Sequence, residues 1–196
     1  MLGFKTLILT IILAFNFGCN SVNNLSSAKN VSESLKIEEP KNKENVENVI
    51  NEIPSDLLIT LDKPLCQGYE LCQIYKITVK SNGEVLFEGI QNTKLKGKTK
   101  GKISEEKVKE LIKEFDKANY FNLIDKYNYE TCPNAFTDSH DVNTSIQMNG
   151  KKKSVNHYLG CVGYNTEFEK PLVDLTLLED KIEELSGARR WIGETK

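Results

Sequence analysis

Apolar and polar positions change their rhythm several times along the chain. Leu7 to Phe15 is an apolar run broken only by Thr10. Residues 20–55 then carry Ser, Asn, Glu and Lys, with no aromatic residue and no glycine. From Asp56 onward, periods of two and of 3.6 take over. Leu57 to Leu61 is a short strand candidate, and Ile74, Tyr75, Ile77, Thr78 and Val79 make a β-rich run. Asn82-Gly83 predicts a type I′ hairpin turn, where both central residues take positive φ. Glu84 to Ile90 is its returning strand. Lys94 to Ile103 alternates strictly and reads as a further strand. Ser104 is a helix N-cap followed by Glu105 and Glu106, which suit the positive end of the helix dipole. Val108, Leu111, Ile112, Phe115 and Ala118 then form one apolar helical face. Tyr120, Phe121, Leu123 and Tyr127 extend that packing. Residues 128–141 lose periodicity and read as a loop. Thr144, Ile146 and Met148, the Asn149-Gly150 turn, and Lys151 to Tyr158 make a second hairpin. A last helix runs from about Pro171 to Leu185, with Leu175, Leu178, Ile182 and Leu185 inward and Gly187 as its C-terminal cap. Trp191 is expected to pack the tail back onto the domain.

These elements predict an α+β domain. Its antiparallel sheet has about six strands built from hairpins, with two helices packed on one face.

The first eighteen residues have the layout of a secretory signal: Lys5, an apolar run too short to span a bilayer, and small Gly18. Phe15-Asn16-Phe17-Gly18-Cys19 resembles a bacterial lipobox, with Asn16 where a leucine is usual. A cut before Cys19 would leave its thiol to carry lipid; the alternative is an ordinary cleaved signal. The expected organisation is a signal at 1–18, lipidated Cys19 and a flexible tether over 19–55, and one domain over 56–196. Such a tether cannot bury enough apolar surface to fold, and would span about 35 Å root-mean-square.

Cysteine usage fits export. The chain has five cysteines. If Cys19 is lipidated, Cys66, Cys72, Cys132 and Cys161 remain, an even set suited to disulfides in an oxidising compartment. Three pairings exist; Cys66–Cys72 and Cys132–Cys161 are expected because each closes a short loop. The formal net charge of −2 predicts no general attraction to nucleic acid.

Candidate chemistry is sparse. Asp138, His140, Asp141 and His157 are a donor set for a divalent metal or for acid–base catalysis. The plainer reading is a polar loop with exposed histidines. No His-Glu-x-x-His, nucleophile elbow, Cys-x-x-Cys or phosphate-binding glycine loop occurs, so no cofactor is expected. Lys94, Lys96, Lys98, Lys100 and Lys102 would share one face of a strand. They suggest either a stripe for anions or a solvated edge strand whose lysines deter association.

Cys66, Gly68, Cys72 and Tyr75 resemble the opening motif of the bacterial domain of unknown function 6438 family. Gly83, Phe87 and Gly89 are similar to its hairpin, and Leu111, Phe115, Phe121, Leu123 and Tyr127 to its helix and following segment. Tyr158, Gly160, Leu175, Leu178, Ile182 and Trp191 resemble its closing pattern. The similarity covers about residues 57–192. It implies a small exported lipoprotein and brings no catalytic residues with it.

The expected function is therefore non-enzymatic: a binding or interaction domain in the bacterial cell envelope, on the outer membrane or periplasmic face in a cell with two membranes. Its expected partners are the membrane, through the N-terminal lipid, and an envelope protein or anionic ligand. The alternative is a metal-dependent hydrolase using His140 and His157.

Overall fold

A computed structural model describes residues 52–64 and 72–193. The strands are β1 (Leu58–Lys63), β2 (Ile74–Lys80), β3 (Glu84–Gln91), β4 (Gly97–Lys102), β5 (Lys126–Tyr127), β6 (Asn134–Ala135), β7 (Asp141–Met148), β8 (Lys151–Tyr158) and β9 (Cys161–Val162). The helices are α1 (Glu105–Lys117), α2 (Glu169–Leu185) and the short α3 (Arg189–Ile192). Signal, lipidation site and most of the expected tether lie outside the described residues.

The domain is mixed α+β. Seven strands form one sheet in the order β4-β3-β2-β1-β7-β8-β5, and β6 pairs with β9 in a separate ribbon. The main sheet is antiparallel except at its edge, where β5 runs parallel to β8. Hairpin signals predict about six strands and no parallel pair. The seventh, β5, is a two-residue strand reached by the long connection through α1, and two residues show no period.

Two hairpins meet through β1, which pairs with β2 on one side and β7 on the other. Alternate residues point the same way, so Ile59, Leu61, Ile77, Val79, Val85, Phe87, Val142, Ile146 and Val155 form one buried face. Helix residues Val108, Leu111, Ile112, Phe115, Leu175, Leu178 and Ile182 complete the same core. Each such side chain contributes about 1.5–3 kcal/mol by leaving water. The helices pack against each other over this face.

The local signals explain most ends. Ser104 caps α1, its hydroxyl accepting the Lys107 N–H at 3.4 Å. Asn149 and Gly150 take φ of 52° and 72° between paired Met148 and Lys151, the backbone a type I′ turn requires. Asn82-Gly83 differs. Only Gly83 has positive φ, at 79°. The Gly83 N–H donates to the Lys80 carbonyl at 2.9 Å, and Asn82 Oδ1 accepts the Glu84 N–H at 2.9 Å. The loop therefore has three residues, a right-handed turn closed by a left-handed glycine. A side chain at Gly83 would also strike the Ile103 carbonyl, 2.5 Å away.

The lysine segment is shorter as a strand than its alternation predicts. β4 begins at Gly97, so Lys94 and Lys96 precede it. The Lys94 and Leu95 N–H groups instead donate to the Ile192 and Trp191 carbonyls, each at 2.9 Å. That pairing ties the C-terminal tail to the sheet. Trp191 packs against Phe87, with ring centroids 5.4 Å apart.

Candidate functional site

Strand β8 sends Val155 and His157 inward, and α2 turns Leu175 and Glu179 toward them. His157 and Glu179 are only 3% and 4% exposed. His157 Nδ1 lies 3.1 Å from each carboxylate oxygen of Glu179. Thr144 adds a hydroxyl donor 3.4 Å from Glu179 Oε1. A carboxylate only accepts, so Nδ1 carries a proton toward Glu179, which holds the ring in place. The expectation of exposed histidines thus fails at His157. Its alternation with Val155 puts it on the core face, and Glu179 supplies the partner that a buried imidazole needs.

One turn along α2, Glu183 repeats the device. It accepts the Tyr75 hydroxyl proton and pairs with Lys63 at 2.8 Å. Burial, reinforced by the Glu183 charge, pushes the Tyr75 phenol far above its ordinary range. α2 therefore carries two carboxylates four residues apart, each fastened to the sheet beneath.

His157 borders an open pocket of about 490 Å³. Leu159, Tyr164, Leu172, Val173 and Leu177 line it. Leu177, Val173 and Tyr164 are 58%, 53% and 68% exposed, a concentration of apolar surface at the mouth. Cys161 also lines it and is bonded to Cys132, across a sequence separation of 29. That disulfide fastens β9 to the loop after β5. The other expected pairing, Cys66 with Cys72, involves a residue outside the described ones.

The metal candidates do not assemble. Among the described residues, no group of three or more His, Cys, Asp or Glu is placed to hold a metal ion. Asp138 is exposed in its loop, with φ of 63°. His157 has given Nδ1 to Glu179. His140 and Asp141 stay half-buried beside each other at the start of β7. Among the described residues the four are therefore not brought together as one donor set.

His140 does have altered acidity. Burial lowers its pKa below 6.5, the nearby Lys63 and His157 lower it further, and Asp141 opposes them. Unfolding frees the imidazole to bind a proton at a higher pH. Stability therefore rises with pH through the window below about 6.5 and is lost as pH falls through it. His140→Gln is expected to flatten that part of the profile. Urea midpoints of both proteins, above and below the histidine range, check this; parallel profiles would count against it.

The lysine stripe divides in two. Lys98, Lys100 and Lys102 lie on β4, the sheet edge, and point away from the helices. Lys98 pairs with Glu88 at 3.7 Å, and Lys94 and Lys96 lie off the strand. Sequence reasoning missed Glu179 entirely. Its signal was spacing: Glu179 follows Leu175 by four and precedes Ile182 by three, on the inward stripe.

Residues 57–184 match the family model for the domain of unknown function 6438. No curated protein is a significant match to the chain.

Proposed function

The chain belongs to the domain of unknown function 6438 family, and on that footing we propose that it is a binding module of the bacterial cell envelope, exported and held by lipid on Cys19. Its ligand is an apolar group with a polar tip, such as an apolar side chain of an envelope protein beside its own backbone N–H. The observation that carries this is the pocket. Apolar side chains are left in water at its mouth, while a buried carboxylate fixes the one imidazole beside it. Such an arrangement suits selective binding: apolar walls supply affinity and the ring nitrogen that Glu179 does not take supplies direction. Anchoring is supported by the signal layout and Cys19. No helix among the described residues is long and apolar enough to cross a membrane, which fits attachment by lipid.

Two measurements separate the parts of this reading. A photoreactive residue at Val173 or Leu177 should give the same discrete protein adduct in living cells, and one at Glu110 on α1 should not. Indistinguishable adducts from all three positions would sink the pocket reading. Metabolic labelling with an alkyne fatty acid should mark the chain and be lost in Cys19→Ser. Persistence of the label in that variant would end the anchoring reading and leave the pocket untouched.

A further inference from the structure

The face of the sheet turned away from α1 and α2 carries a second pattern, assembled from strands distant in sequence. Cross-strand register sets its rows. One row runs Lys98, Glu88, Lys76, Asp62, Asn143, Asn156, ending at Lys126. The next runs Lys100, Leu86, Thr78, Thr60, Ser145, Ser154. A third holds Lys102 opposite Glu84, and Gln147 opposite Lys152, with Lys80 and Leu58 between them.

Three of these lysines are neutralised locally: Lys98 by Glu88, Lys76 by Asp62 and Lys80 by Glu84. Lys100, Lys102, Lys126 and Lys152 have no ion pair among the described residues, and Asp141 is the one further carboxylate on this face. The opposite layer has the other sign. On its outward side α2 carries Glu169, Asp174, Asp180 and Glu184 against Lys170 and Lys181, while Glu179 and Glu183 are turned to the sheet. The domain is therefore polarised through its thickness, although the chain's net charge is only −2.

We propose that this open sheet face docks on an anionic lipid bilayer. A broad sheet face presents its side chains to a plane, as a bilayer surface requires. The unpaired lysines spread from one edge of the sheet to the other, so several phosphates are met at once. In the central row Thr78 and one hydroxyl of the hydrogen-bonded Thr60–Ser145 pair keep a proton for phosphate oxygens, while Ser154 gives its own to the Thr144 carbonyl. Leu58 and Leu86, 37% and 36% exposed, stand among these groups as apolar contacts for the headgroup boundary. The acidic helix layer is repelled by the same surface, which fixes which side faces it. Face-to-face pairing of two copies is disfavoured here by like charge. The inference does not rest on lipid at Cys19, because the charge pattern belongs to the domain.

Lysine acetylation footprinting of the full chain on vesicles tests it. On vesicles of phosphatidylcholine with phosphatidylglycerol, Lys100, Lys126 and Lys152 should be protected while Lys107 on α1 and Lys170 on α2 react freely. On phosphatidylcholine alone, or in high salt, the protection should vanish. Lys100→Glu with Lys152→Glu should weaken the protection at Lys126 by on the order of tenfold or more. Circular dichroism checks that this variant is folded, and the salt response of the unmodified chain is an independent readout. Equal protection of both layers, or protection indifferent to lipid charge, would overturn the proposal. So would a DNA duplex that protects the same lysines where the anionic vesicles do not.

Discussion

Replacing Glu179 with alanine is expected to lower the free energy of unfolding by about 2–6 kcal/mol, the range for leaving two buried donors without their acceptor. Both Glu179 oxygens lie 3.1 Å from His157 Nδ1, and Oε1 also takes the Thr144 hydroxyl at 3.4 Å. Truncation strands two buried donors, each worth about 1–3 kcal/mol when unsatisfied, and leaves a void between β8 and α2. Glu179→Gln keeps one acceptor oxygen and should lose less. The pair as a whole is a different matter. His157→Phe with Glu179→Leu removes both polar partners together and should come close to the parent's stability. Urea unfolding of the three variants decides between these outcomes. A loss below about 1 kcal/mol in Glu179→Ala would mean that the pair is not desolvated as its burial indicates.

Phe87→Ala is expected to cost a similar amount, about 3–5 kcal/mol, for a different reason. Phe87 is 1% exposed and sits between two rings, with centroids 5.9 Å from Tyr75 and 5.4 Å from Trp191. Its loss opens a cavity where the C-terminal tail meets the sheet. Trp191 is the chain's one tryptophan, so its fluorescence reports this junction alone. Emission should shift to the red, and the Lys94 and Leu95 amide protons should exchange faster as their bonds to the tail loosen. Unchanged emission and exchange would show that the backbone pairing holds the tail without the aromatic contact.

How far the fold was legible depends on the range of each determinant. Asn149-Gly150 specifies its hairpin because the needed φ values are local properties of those residues. The inward stripes of α1 and α2 are equally local, and Ser104 marks where the first begins. At Asn82-Gly83 the same dipeptide misled, because the Asn82 side chain accepts the Glu84 N–H and the glycine alone turns left-handed. Which hairpin edges join is a long-range choice: β1 matches its alternation to β2 and β7 together, and neither segment announces the other. Strand β5 is held by only two register pairs, too few for any periodicity.

Site residues divide along the same line. His157 was visible as a residue type with chemistry, but its environment was not. Its partner is 22 positions away and looked like one more acid on a solvated helix. The alternating lysines near β4 were obvious in sequence. The lysines of β2, β5 and β8 on the same face became their neighbours only through the sheet order. Conversely, Asp138 and His140 are close in sequence but do not build a joint site.

The position of β1 has a consequence for how the molecule comes into being. The first strand of the domain is the middle strand of the main sheet, and it pairs with residues 143–147 as well as with 75–80. Asp56, just before it, accepts the Asn149 and Gly150 N–H groups, each at 2.8 Å, across a separation of 93 and 94 residues. A ribosome must therefore release most of the chain before the sheet can close. Long-range pairing of this kind slows folding, because a large loop must be ordered before its contacts form. While synthesis continues, β1 has β2 beside it but not β7, and the helices do not yet cover the sheet. That interval of incompleteness keeps the chain from closing its core until its last elements have left the ribosome.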